Sequence, residues 1–149
     1  MKPLFMLVIV MTSFSGLVNA QPAPTTTPVS AVSSFQKTFK DADSVEWELT
    51  GGLFKAKFVY NERLAYAFFN EQGELLCIAR STSMQQIPPM LQSSFQIKFP
   101  DVTIRDAFEI SGQTGISYYL TIIKNAKKII LKSSGMENWF VFSKEKKKV

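Results

Sequence analysis

The stretch SFQKTFKD at residues 34–41 returns, almost unchanged, as SFQIKFPD at residues 94–101. At an offset of 60, seven of the fourteen positions from 28 to 41 are identical. The identical pairs are Pro28/Pro88, Ser33/Ser93, Ser34/Ser94, Phe35/Phe95, Gln36/Gln96, Phe39/Phe99 and Asp41/Asp101. Agreement of this extent within one chain indicates that a structural unit occurs twice.

Each copy of the phrase is predicted to end a short helix. Aromatic and aliphatic residues recur there at a spacing of three or four, which is typical of the buried face of a helix. They are Val32, Phe35 and Phe39 in the first copy and Leu91, Phe95 and Phe99 in the second. Pro88 and Pro89 suit a helix start, where a missing amide hydrogen costs little, and Pro100 ends the second helix.

Strands are predicted to follow each helix. Residues 45–50, VEWELT, alternate apolar and polar side chains as a half-buried strand does, and residues 104–110 alternate in the same way. Gly51-Gly52 and residues 111–115 are predicted hairpin turns, the second two residues longer, which moves the offset to 62. Each copy is therefore expected to contain a helix and four strands, with a glycine turn at Gly73 or Gly135.

The predicted hairpins assign side chains to two sheet faces. Two-residue turns at Asn61-Glu62 and Asn125-Ala126 would pair Phe58 with Ala65 and place Leu120 and Leu131 beneath the second helix. The opposite face, predicted to be open, carries lysines among aromatic and aliphatic residues, which favours contact with a partner. The candidate partner-binding residues are Lys55, Lys57, Tyr66, Phe68, Tyr119, Thr121, Lys128 and Lys132. Ordinary strand alternation would explain them too, and a three-residue loop would exchange the faces.

The first twenty residues have the layout of a secretory signal peptide, with Lys2, an apolar run and a small-residue ending at Ala20. Cleavage after Ala20 would leave a periplasmic or secreted protein without a stable membrane span. The proline-rich and threonine-rich residues 21–28 are predicted to be a flexible leader. The two repeats are assigned to residues 29–83 and 84–143, and a basic tail to residues 144–149.

The composition provides little catalytic chemistry. There is no histidine and one cysteine, Cys77, in an apolar stretch, so no Ser-His-Asp set, Cys-His pair or zinc site is expected. The acidic residues Asp41, Asp43, Glu46 and Glu48 lack the order of a calcium loop. We expect no enzymatic activity and no cofactor. The net charge of +5 is partly terminal, and nothing resembles a nucleic-acid recognition motif.

The duplicated phrase, the aromatic strand VEWEL and the glycine turns in FFNEQGELL and LKSSGMENW together resemble the PepSY-like family of exported bacterial proteins. The resemblance implies an α+β fold like that of the beta-lactamase inhibitor protein. In that fold two tandem α-β-β-β-β repeats form one antiparallel eight-stranded sheet, with the helices packed on one face. It also implies a periplasmic or secreted protein. The strip of lysines and aromatic residues favours a non-enzymatic binding module of the cell envelope, whose partner is an unknown protein or peptide, and the fold analogy suggests an inhibitory role. The alternative is a ligand-responsive or calcium-responsive envelope sensor.

Overall fold

The computed structural model describes residues 26–135 and 138–145 of the chain. The predicted signal peptide lies outside the described residues, as do residues 21–25 of the predicted leader and residues 146–149 of the predicted tail.

The described residues form two α-helices and an eight-stranded sheet, in which neighbouring strands follow the order of the sequence. The first copy contains α1 (Val29–Thr38), β1 (Asp43–Thr50), β2 (Leu53–Tyr60), β3 (Arg63–Phe69) and β4 (Leu75–Ser81). The second contains a 3₁₀ turn (Met84–Gln86), α2 (Pro89–Lys98), β5 (Thr103–Gly112), β6 (Gly115–Lys124), β7 (Lys127–Ser133) and β8 (Phe140–Glu145). This is the predicted order of elements, although β8 also includes Lys144 and Glu145, which the sequence assigned to the tail.

The chain divides into two compact units that do not coincide with the predicted repeats. The first unit contains the described residues up to Glu62 together with Tyr66–Leu76. The second contains Arg63–Ala65 and the described residues from Cys77 onward. Strand β4 therefore belongs mostly to the second unit, where it pairs antiparallel with β5.

The repeated phrase has the same structural role in each unit. Each helix begins directly after a proline, Pro28 or Pro88, whose carbonyl accepts a bond from the first turn. Each helix ends where the amide of Phe39 or Phe99 donates to the carbonyl four residues earlier, at 2.8 Å in both copies. The asparagine turns are also as predicted, because Asn61-Glu62 and Asn125-Ala126 all have positive φ angles, as type I′ hairpins require.

The difference in length between the copies lies in the strands and not in the first turn. Strands β1 and β2 have eight residues each, whereas β5 and β6 have ten. Both turns have two residues, because Thr50 pairs with Leu53 and Gly112 pairs with Gly115. The predicted longer turn at residues 111–115 is therefore wrong. The uniform offset of 62 is wrong as well, since the second turn of each copy is displaced by 64.

The buried face of α1 differs slightly from the prediction. Ala31 and Phe35 are its buried residues, while Val32 is only half-buried. Ala31 is the counterpart of Leu91 at the offset of 60, and Leu91 is buried in α2. The predicted stripe of Val32, Phe35 and Phe39 is therefore wrong at Val32, because Ala31, four residues before Phe35, is the residue that meets the sheet.

Each unit has an aromatic core with one tryptophan. In the first unit Phe35 contacts Phe58 with ring centroids 4.8 Å apart, and Trp47 on β1 with centroids 5.5 Å apart. In the second unit Phe95 meets Trp139, which precedes β8, at 6.1 Å. Trp139 is fully buried and its indole N–H donates to the Leu91 carbonyl of α2 at 2.8 Å. The two tryptophans thus come from different elements of the repeat.

Candidate functional site

We use the name far face for the sheet surface turned away from the helix of each unit. In the first unit β1 and β2 pair Glu46 with Lys57 and Glu48 with Lys55, and all four side chains lie on this face. The Nζ of Lys57 lies 3.0 Å from a Glu46 carboxylate oxygen, and that of Lys55 lies 2.5 Å from Glu48. The predicted lysines are therefore on the predicted face, but their charges are compensated by the neighbouring strand.

Four of the predicted binding residues are buried, so the predicted open strip is wrong for them. Tyr66 and Phe68 are each 1% exposed, Tyr119 is 7% exposed and Lys55 is 8% exposed. For Tyr66 the neighbouring strand provides the cover, since the Lys55 Nζ lies 5.9 Å from the centre of the Tyr66 ring while the same lysine reaches Glu48. The long side chain of a lysine can cover an apolar ring in this way while its ammonium group keeps its polar contacts.

In the second unit, the far face of β6, β7 and β8 has a compact cluster around Tyr119. We call Tyr119, Lys132 and Phe142 the Tyr119 cluster. The Lys132 Nζ lies 5.6 Å from the centre of the Tyr119 ring, and the two residues are directly opposed on β6 and β7. The Phe142 ring meets Tyr119 edge-on, with centroids 5.7 Å apart. Lys132 and Phe142 are half-buried, so their outer surfaces remain accessible above the buried tyrosine.

The remaining predicted residues lie beside this cluster or form ion pairs. Thr121 is half-buried on the far face of β6. Lys128 opposes Glu145 on β8, and its Nζ lies 3.2 Å from the carboxylate. Of the three predicted lysines that form ion pairs, Lys57 has the most exposed side chain, at 46%.

Phe142 and Glu145 are site residues that the sequence analysis missed. The pairing of β7 with β8 shifts between Ile130, which meets Ser143, and Leu131, which meets Val141. Phe142 is the extra residue of this β-bulge, and such a bulge re-aims a side chain. Strand alternation alone gives no signal for the bulge.

Burial and pairing shift three pKa values in this region. The hydrogen bond from Lys55 lowers the pKa of Glu48, against a smaller opposing effect of burial. Burial raises the pKa of the Tyr119 hydroxyl to about 12, with a further contribution from Cys77. Burial alone raises the pKa of the Cys77 thiol to about 12. Cys77 is a free, buried thiol, and its raised pKa keeps it protonated at neutral pH.

The glutamates of the acidic run in β1 contact lysines of the neighbouring strand. Glu46 and Glu48 are committed to lysines on β2. Within residues 26–135 and 138–145, no group of three histidine, cysteine, aspartate or glutamate side chains is placed to hold a metal ion. In the same part of the chain, neither helix has the length and apolar character needed to cross a membrane.

Comparison with known proteins identifies the fold. No family model matches the sequence, and no curated protein matches it significantly. A predicted periplasmic protein of Bacteroides eggerthii has a similar structure, with a TM-score of 0.72 and 15% identity over 79% of this chain and 87% of that one. A DUF2874 family protein of Bacteroides uniformis gives a TM-score of 0.71 and 13% identity over 79% of this chain and 88% of its own.

A third similar structure is a BLIP-like protein of Bacteroides fragilis. Its TM-score is 0.66 and its identity is 15%, over 87% of this chain and 93% of that protein. At this level of identity the likeness establishes the fold alone. The predicted α+β class, an antiparallel eight-stranded sheet with two helices like that of the BLIP-like protein, is confirmed.

Proposed function

We propose that this protein is a non-enzymatic binding module of the bacterial cell envelope, which contacts a protein or peptide through the far face of its sheet. The Tyr119 cluster is the observation that carries this proposal. Tyr119 is held by the Lys132 ammonium on one side and the Phe142 ring on another. Aromatic and basic side chains that are already fixed lose little entropy on binding, and such residues dominate protein interfaces.

The contact surface in this proposal is smaller than the sequence suggests. It consists of Lys132 and Phe142, with Thr121 and Ile123 on β6, all half-buried. Tyr66 and Phe68 are removed from it because they are buried, and they act as core residues of the first unit. Tyr119 supports the surface from below.

Membership of the PepSY-like family and export to the periplasm or medium are part of the same proposal. The duplicated phrase supports the first, and the layout of residues 1–20 supports the second. The fold shared with the predicted periplasmic protein of Bacteroides eggerthii supports export. Sequencing the amino terminus of the protein recovered after export tests the cleavage site, and we expect Gln21 as the first residue.

Site-specific photo-crosslinking in the native envelope tests the partner surface. A photoreactive phenylalanine analogue at Phe142 should yield a discrete crosslinked partner. The same analogue at Met90, which is 68% exposed on α2, is the matched control and should not. The adduct at position 142 should fall strongly in Lys132→Glu. It should persist in Lys124→Glu, which makes the same charge change at an exposed position.

An adduct of the same size and yield from both positions would show that the far face is not selective. The proposal would also be contradicted if Lys132→Glu left the adduct at position 142 unchanged.

A further inference from the structure

Strand β1 is the first strand of the sheet, and none of the described residues forms a strand on its outer edge. A bulge between Asp43 and Glu46 interrupts its start, which leaves the five residues Glu46–Thr50 as a regular segment. Thr50 and Leu53 flank a two-residue turn, so each donates a backbone hydrogen bond to the other. Hydrogen-bonded and non-hydrogen-bonded pairs then alternate along the two strands, and Leu49 and Trp47 belong to the non-hydrogen-bonded pairs. The N–H and C=O groups of Trp47 and Leu49 therefore point to the outer edge.

A groove of about 300 Å³ runs beside this edge, between β1 and α1. Phe35, Phe39 and Trp47 supply its aromatic wall, and Val45 lies at its rim with 38% exposure. Trp47 is half-buried, so one part of the indole packs on Phe35 while another lines the groove. The groove thus offers apolar surface directly alongside unpaired strand backbone.

The second unit shows what occupies the corresponding edge there. Strand β5 is the counterpart of β1, and β4 lies antiparallel on its outer edge, from Cys77 opposite Gly112 to Ser81 opposite Phe108. The contact continues one residue further, where the Thr82 amide donates to the Ala107 carbonyl at 3.0 Å. Counting back from the turns, this part of β5 corresponds to Glu46–Thr50. The fold therefore accepts an antiparallel strand on this edge in one of its two copies.

Charges on β1 define the chemistry of a strand that would pair there. Glu46 and Glu48 have 70% and 59% of their side-chain surface exposed, even though each contacts a lysine of β2. On β2, lysines opposite these glutamates alternate with apolar residues that face the helix, as in Phe54-Lys55-Ala56-Lys57-Phe58. A strand on the outer edge would meet the same two surfaces, with carboxylates on one side and the aromatic groove on the other.

We propose that the outer edge of β1 and the groove beside α1 bind an extended peptide segment in which basic and large apolar residues alternate. The segment adds an antiparallel strand to β1. An apolar side chain opposite Trp47 enters the groove, which Val45 borders, and the basic side chains face Glu46 and Glu48. Backbone bonds to Trp47 and Leu49 supply affinity, and the groove supplies selectivity, as in other cases of strand addition. This site is separate from the Tyr119 cluster and does not depend on it.

The probe is a fluorescein-labelled peptide, Thr-Lys-Val-Lys-Phe-Lys-Thr. Its binding to the full chain is measured by fluorescence anisotropy. In the antiparallel register that places lysines opposite Glu48 and Glu46, the phenylalanine lies opposite Trp47 and its N–H faces β1. The lysine that precedes it directs its N–H to solvent. N-methylation of the phenylalanine should weaken binding at least tenfold, whereas N-methylation of that lysine should change it less than twofold.

Two further controls separate this mode from charge attraction. The peptide Lys-Lys-Thr-Val-Phe-Thr-Lys has the same composition without the alternation, and it should bind at least tenfold more weakly. On the protein, Val45→Glu should reduce binding about tenfold. Val29→Glu, the same change at a position of α1 that is 84% exposed, should leave binding unchanged. Equal affinities for the two N-methylated peptides, or for the ordered and scrambled peptides, would overturn the proposal.

Discussion

Gly73 and Gly135 have almost the same backbone conformation, with φ of +80° and +77°, but they differ in surroundings. A Cβ on Gly73 would lie 2.6 Å from the backbone carbon of Ser30, at the start of α1. A Cβ on Gly135 meets no atom within 4 Å among the described residues. The two positions therefore separate the cost of the left-handed conformation from the cost of close packing.

We predict that Gly73→Ala destabilises the protein more than Gly135→Ala does. Both variants lose about 1 kcal/mol because alanine is strained at positive φ. Gly73→Ala loses a further 1–3 kcal/mol or so, because Ser30 and the helix must move. Urea unfolding of both variants measures the difference, and equal losses would contradict the packing explanation.

The Glu48–Lys55 pair gives a prediction for acidic pH. The folded pKa of Glu48 is lowered, so the pair stabilises the protein above the unfolded pKa and this contribution is lost as pH falls through the folded pKa. We expect Lys55→Met to raise the pKa of Glu48 in an NMR titration of its carboxyl group. Lys57→Met is the control, because Lys57 contacts Glu46 instead. A Glu48 pKa unchanged by the loss of Lys55 would refute this assignment.

Among the elements, the two hairpin turns that begin with asparagine were the ones most directly predictable from local sequence. Two-residue turns with both residues at positive φ are recognisable because few sequences tolerate them. The helix ends were predictable for a similar reason, since proline and the spacing of phenylalanines act within one turn. The lengthening of β5 and β6 was not predictable, because strand length depends on pairing with residues distant in the chain.

The second hairpin contains a residue that is poorly suited to its conformation. Ala126 has φ of +57°, in the left-handed region, where glycine carries no steric cost. We predict that Ala126→Gly stabilises the protein by about 1 kcal/mol, because Asn-Gly is the preferred sequence of a type I′ turn. Glu62→Gly, at φ of +61° in the first copy, should act in the same direction. Thermal melting of both variants measures the effect, and a lower midpoint in either would show that the wild-type side chain contributes more than its strain costs.

For the whole molecule, the sequence predicted which face each binding candidate occupies but not whether it is accessible. Alternation with a period of two fixed the side for Tyr119 and Lys132. Accessibility depends on which long side chains cross from the next strand. The Lys55 ammonium over Tyr66 and the bulge at Phe142 are both products of tertiary pairing. For this reason the candidate site contracted to one cluster, while the fold class was predicted in full.

The buried thiol of Cys77 and the buried hydroxyl of Tyr119 make the stability of the whole fold depend on pH in the alkaline range. Both folded pKa values are raised to about 12, so both groups stabilise the protein below their unfolded pKa values and cease to do so as pH rises toward 12. Between pH 8 and pH 10.5 we expect the free energy of unfolding to fall, and Cys77→Ala to remove roughly 2 kcal/mol of that fall. Urea unfolding at several pH values tests this.

Tyr119→Phe should flatten the dependence above pH 10. A fall in stability with the same slope in wild type and Cys77→Ala would show that the thiol ionises as readily in the folded protein as in the unfolded chain, and so that burial does not raise its pKa.

The two extra residues in each of β5 and β6 have a geometric consequence for what the second copy can reach. At about 3.3 Å per residue, the hairpin of β5 and β6 is roughly 7 Å longer than the hairpin of β1 and β2. Its turn at Gln113-Thr114 therefore lies that much further along the strand direction than the turn at Gly51-Gly52 does in its own hairpin. An even number of added residues also keeps every side chain on its original side. A hairpin can therefore lengthen in steps of two residues without moving any side chain to the other face of the sheet.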